Sequence, residues 1–129
     1  MTRKAFKSSN SIILMAEIKL GGNIALIGFE TLDPTELTII KKIVGNAIKK
    51  MSENGDYQQM KLTLVQHAHG KGFKHEIDAL AIFSEGRFSS NVVEWNLFTA
   101  VSEVCEKITK ELLHVTKKEQ RHDKLTYNR

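Results

Sequence analysis

Cysteine is almost missing from this chain: Cys105 stands alone among 129 residues. One thiol cannot close an internal disulfide. Its place on an apolar helical face predicts a buried, inert group rather than a nucleophile. Long hydrophobic runs are missing too. The apolar stretch at residues 12–16 is broken by Glu17 and Lys19 and has no credible cleavage site, which argues against a signal peptide or a membrane span. With 41% hydrophobic and 26% charged residues, the composition lies within the globular range and away from disorder. A single core is expected at this length, in a cytoplasmic protein. No repeats, linkers or low-complexity blocks divide it.

Catalytic signatures are equally sparse. No Ser/His/Asp or Cys/His arrangement can be read, and Gly70-Lys71-Gly72-Phe73 lacks the trailing Lys-Ser/Thr of a phosphate loop and opens a strand instead of a helix. What stands out is HAHGKGFKHEI, residues 67–77, which holds three of the five histidines. On a strand His67 and His69 point to one side, and His75 on the next strand could approach them, the geometry a metal-assisted hydrolase would need. No carboxylate stands at convincing ligand spacing, and two glycines make the turn mobile. His75 and Glu76, being adjacent, face opposite sides of a strand and form no acid/base pair. The expectation is therefore a basic rim with no metal, no cofactor and no catalytic residue.

Charge is unevenly placed. The chain is net +4. Residues 1–10 carry three bases and no acid, residues 114–129 carry five bases and two acids, and the middle is slightly acidic. The excess positive charge thus sits at the ends, a distribution that attracts polyanions.

Periodicity supplies the elements. Ile12 to Leu20 alternates as a strand, Gly21-Gly22-Asn23 supplies the positive-φ residues of a hairpin, and Ile24 to Phe29 returns. Asp33-Pro34-Thr35-Glu36 starts a helix with a cap, a proline in the first turn and a glutamate that reaches back. Leu37, Ile40, Val44, Ala47, Ile48 and Met51 mark its apolar face, and Asn54-Gly55 offers a left-handed stop. Gly45 within it suggests close approach of another backbone. Strands follow at Met60 to Val65, Phe73 to Phe83 and Arg87 to Val93, an antiparallel meander by order. A last helix, capped by Asn96, carries Leu97, Val101, Val104, Cys105, Ile108, Leu112 and Val115 and is expected to reach Glu119. The domain plan is a basic tail at 1–11, one domain at 12–119 and a basic tail at 120–129.

The two helices carry the candidate binding residues. Projected at 100° per residue, Lys107, Lys110, His114, Lys117, Lys118 and Arg121 share an arc of about 100° on the last helix. Glu103 to Lys107 and Glu106 to Lys110 have the spacing of ordinary ion pairs. On the first helix Lys42 and Lys49 stand seven residues apart, with Lys41 and Lys50 nearby. Helices on one face of a sheet would merge these rows into a surface that reads phosphate positions rather than bases. Lys71, Lys74 and Arg87 would widen it.

Two segments carry a family resemblance. KHEIDALAIFSEGRFSSNVVEWNLFTAVSEVCEKITKEL resembles the part of ribosome hibernation promoting factors, also called ribosome-associated inhibitors, in which a His/Lys-rich strand and a hairpin lead to an Asp-Met/Leu-Tyr helix start. IALIGFETLDPTELTIIKKIVGNAIKKM is similar to their first strand and helix. The resemblance spans residues 24 to about 119 and rests on order and spacing together. It implies an α+β fold: an antiparallel, in part mixed, four-stranded sheet with two helices on one face, β-α-β-β-β-α, similar to double-stranded RNA-binding domains, plus an extra N-terminal strand. It implies binding to the small ribosomal subunit where messenger and transfer RNA would pass. Lys49, Lys50, Lys107, Lys110 and His114 match basic positions of the family and would contact ribosomal RNA phosphates. Asn96 and Phe98 replace the commoner Asp and Tyr. Residues 1–22 have no counterpart in short members and suggest an edge strand or a homodimer contact, the competing expectation. The family's ribosome-pairing C-terminal domain is absent from this sequence.

Overall fold

The computed structural model describes the backbone of residues 17–127 and the side chains of residues 17–116 apart from 19 and 20. Five strands and two helices follow one another: β1 (Glu17–Leu20), β2 (Ile24–Ile27), α1 (Pro34–Ser52), β3 (Tyr57–His69), β4 (Gly72–Phe83), β5 (Gly86–Glu94) and α2 (Leu97–Tyr127). The expected strand before residue 17 and the expected N-terminal tail lie outside the described residues.

The strands form one mixed sheet in the order β1-β2-β3-β4-β5. Only β2 and β3 are parallel, because α1 crosses between them; the other neighbours are antiparallel. The β1–β2 turn uses Gly22 at φ 75° and Asn23 at φ 60°, as the Gly-Gly-Asn run predicts. Asn23 also fixes the parallel register. Its side chain donates to the Gln58 carbonyl at 3.0 Å, while its own carbonyl accepts from Met60 N at 3.0 Å and from the Tyr57 hydroxyl at 3.1 Å.

One face of the sheet makes the core. Met60, Leu62 and Leu64 of β3, Ile77, Ala79, Ala81 and Phe83 of β4, and Phe88 and Val92 of β5 are all buried. They meet Ile40, Val44 and Met51 of α1 and Val101, Val104, Ile108 and Leu112 of α2 in a single cluster. Each of the larger side chains, from Val to Phe, contributes about 1.5–3 kcal/mol when removed from water. Both helices therefore lie side by side on that face. Cys105 is buried between them, and burial pushes its thiol up to about 12.

Local chemistry starts the helices as the sequence predicts. Asp33 accepts from Glu36 N at 2.8 Å while the Glu36 carboxylate accepts from Asp33 N at 3.2 Å, a complete capping box. Asn96 caps α2 by accepting from Thr99 N at 2.9 Å. The far ends differ from expectation. α1 closes at Ser52 with Glu53 in the right-handed region, φ −75° and ψ −17°, not on a left-handed Asn54-Gly55. The exposed carbonyls are satisfied by Asn54, whose backbone donates to Met51 O at 2.9 Å and side chain to Lys50 O at 3.3 Å. α2 continues past Glu119 to Tyr127, since neither proline nor glycine interrupts the run of Lys, Glu, Gln and Arg there.

The two glycines of α1's neighbourhood exchange roles. At Gly45 nothing lies within 4 Å of where a Cβ would stand, so no element approaches it. At Gly55 a Cβ would lie 3.0 Å from Leu112 Cδ1, 3.1 Å from Phe83 Cδ2 and 3.2 Å from Glu85 Oε1. Gly55 is the close approach. Opposite effects are expected in denaturant melts: Gly45→Ala stabilises by up to about 1 kcal/mol through helix propensity, and Gly55→Ala destabilises by about 1–3 kcal/mol through overpacking.

Candidate nucleic-acid interface

Because α1 buries Ile40, Val44 and Met51, its opposite crest carries Lys42 and Lys49, half a turn away and exposed. Lys50 lies between crest and core, toward α2. On α2 the buried line Val101, Val104, Ile108 and Leu112 leaves Lys107, Lys110 and His114 exposed on the other side. Between the helices runs a groove of about 500 Å³. Ile43, Ala47 and Cys105 contribute apolar walls, Asn46, Ser102 and Thr109 hydrogen-bonding groups, and Lys50 and Lys110 a positive charge from each helix. Glu106 is its one carboxylate. Lys107 stands outside the groove residues, one turn earlier along the α2 crest.

The expected ion pairs along α2 do not form. Among the described residues the one ion pair at 4.0 Å or less is His67–Glu76, on the sheet, so no described lysine of either helix is neutralised by a bound carboxylate. Glu103 turns instead toward Glu94 at the end of β5. The hydrogen bond between these two carboxyl groups, more than burial, holds the Glu103 carboxyl above its usual range, and Lys107 only partly counters it. Lys117, Lys118 and Arg121 fall on the last turns of α2, beyond the described side chains.

Lys74 and Arg87 do not extend this surface. Strand alternation puts a residue on the face opposite its neighbours. Lys74 has the parity opposite to buried Ile77 in β4, and Arg87 sits beside buried Phe88 in β5, so both project from the helix-free face. The same rule parts the histidines. His67 pairs directly with Lys74 in the β3–β4 register. His67 and His69 therefore share the helix-free face, while His75, one residue on from Lys74, faces the other way, and the three do not converge. Among the described residues no group of three His, Cys, Asp or Glu is placed to hold a metal ion.

No family model matches the sequence, and no curated protein does. Among solved structures the chain is similar to the crystal structure of the Thermus thermophilus Protein Y N-terminal domain, with a TM-score of 0.46 and 11% identity over 63% of this chain and 82% of that chain. Among the described residues no helix is long and apolar enough to cross a membrane.

Sequence reasoning missed a polar cluster on the helix-free face. His67 Nε2 lies 2.7 Å from Glu76 Oε1, and Asn91 donates to Glu76 Oε2 at 2.8 Å and to Asp78 Oδ1 at 2.7 Å. The contacts of His67 and then Asn91 hold the Glu76 carboxyl below its usual range. Only the cross-strand register reveals it: Glu76 is diagonal to His67 and flanked by Asn91 on the next strand.

The Glu94–Glu103 contact predicts a pH effect of definite sign. A carboxyl whose folded-state pKa is raised holds its proton more tightly in the folded chain, so its stabilising contact is present in acid and lost as pH rises through the raised value. Glu103→Gln keeps a neutral hydrogen-bonding group at every pH. Thermal melts should show the variant above the parent at neutral pH, with the gap closing as pH falls through the ordinary glutamate range.

Proposed function

We propose that this chain is a ribosome-associated RNA-binding protein that occupies the messenger and transfer RNA channel of the small subunit and keeps idle ribosomes from translating. The observation that carries this reading is the groove between α1 and α2, where Lys50 and Lys110 from separate helices stand over one concavity below exposed Lys42, Lys49 and Lys107. Two cationic rows held side by side on one sheet supply the charge that a phosphate-lined partner needs. The resemblance of residues 24 to about 119 to hibernation factors supports the choice of ribosomal RNA as that polyanion. Action is by occlusion, with no covalent step.

Lysines free of carboxylate partners release counterions on binding. Five contacts, from Lys42, Lys49, Lys50, Lys107 and Lys110, give a slope of log affinity against log salt of about −4. The double variant Lys50→Glu, Lys110→Glu should lose co-sedimentation with small subunits, and the fold should survive because both side chains are exposed. Unchanged pelleting would refute the assignment.

A second reading has its own observation: β1 stands at the edge of the sheet, and an edge strand can pair with another copy. It predicts a dimer whose proportion rises with concentration and which deletion of residues 1–22 converts to monomer in sedimentation velocity. The ribosome reading requires neither.

A further inference from the structure

The helices cover only part of the sheet. Beyond Leu64 and Ile77 the ends of β3, β4 and β5 run past the core, and Val65, Val93 and Trp95 project there from the helix-free face at 39%, 46% and 53% exposure. The register lines them up. Val65, Glu76 and Val93 form one row across three strands, and His67 and Lys74 the next, with Trp95 following Glu94, the partner of His75.

Trp95 is positioned, not loose. His75, from the opposite face, donates through Nδ1 to the Trp95 carbonyl at 2.9 Å. The indole lies over the start of β4, its Cζ3 at ordinary contact distance, 3.9 Å, from where a Gly72 Cβ would stand. The ring thereby reaches His69, edge to face at 5.3 Å between centroids, and carries the Lys74 ammonium 5.2 Å from its centre. Lys71 sits in the adjoining turn. Glu76, which shares this face of β4 with Lys74, is already engaged by His67 and Asn91.

A half-exposed indole ringed by lysine and histidine suits a partner that brings both a flat π-surface and negative charge. An apolar protein segment would leave the cations unmatched, and duplex RNA offers its phosphates but keeps its bases stacked inside. We propose that Trp95, His69 and Lys74, with Lys71 in the turn, form a site for single-stranded RNA, stacking an unpaired base on the indole and placing its phosphates on the lysines. The site lies on the sheet face opposite the helices. It rests on the RNA-binding reading for the class of partner and uses different residues.

Trp95 is the sole tryptophan, so its fluorescence reports on this site alone. A single-stranded ten-nucleotide oligouridine or oligoadenine is expected to quench it saturably, and a duplex of equal length is not. By anisotropy of a labelled oligonucleotide, Trp95→Ala should weaken binding roughly 5- to 150-fold, the range of one base–aromatic stack, while Trp95→Phe retains most of it. Lys50→Glu with Lys110→Glu should leave the quench in place while abolishing subunit pelleting. Equal quenching by duplex, unchanged affinity of Trp95→Ala, or a concentration-dependent shift of Trp95 emission without RNA, marking a second copy on the patch, would each overturn the proposal. Should quenching fail while lysine-dependent pelleting persists, this inference falls and the ribosome reading stands.

Discussion

One constraint organises the molecule: four adjoining strands bury the same face against two helices. Alternate residues of β3, β4 and β5, all apolar, must leave water together, and only a pair of helices with apolar stripes can cover them. That requirement places α1 and α2 next to each other. Their lysines then have nowhere to point but outward and into the seam between them. The side from which these lysines project is thus a by-product of core burial.

The polar groups around this core divide the sheet into two chemically distinct sides. On the helix side, Glu103 turns toward Glu94 at the end of β5, and nearby Lys107 only partly offsets the effect of that contact on the Glu103 carboxyl. On the other side, His67, Glu76, Asn91 and Asp78 satisfy one another and leave Lys74 to the indole of Trp95. Among the described residues no lysine or arginine near the concave or the aromatic surface closes an ion pair with a carboxylate. Glu103 and Glu106 stand at i, i+4 spacing from Lys107 and Lys110 without closing on them as ion pairs.

Much of this was readable from residues alone where the signal is local. The capping box at Asp33 and Glu36, the positive-φ turn at Gly22-Asn23 and the Asn96 cap each depend on neighbours a few positions apart, and the meander of β3 to β5 follows from the order of strands joined by short turns. Gly55 illustrates the opposite case. Its neighbours Leu112 and Phe83 are distant in sequence, so Asn-Gly has the local pattern of a helix stop while in the fold Gly55 lets α2 and β4 close in. The same distance effect misplaced Gly45, and it hid the His67–Glu76 pair behind the more obvious neighbours His75 and Glu76.

The sequence by itself determined which elements form and which stripe of each is apolar, because periodicity and capping act within one or two turns of chain. It also determined that the lysines of α1 and α2 lie off those stripes. Only the tertiary structure decided which cations share a surface: strand register sent Lys74 and Arg87 to the face opposite the helices and separated His75 from His67 and His69. A one-residue step along a strand exchanges the two faces of a sheet, and the pairing that sets this step joins residues that no local pattern connects.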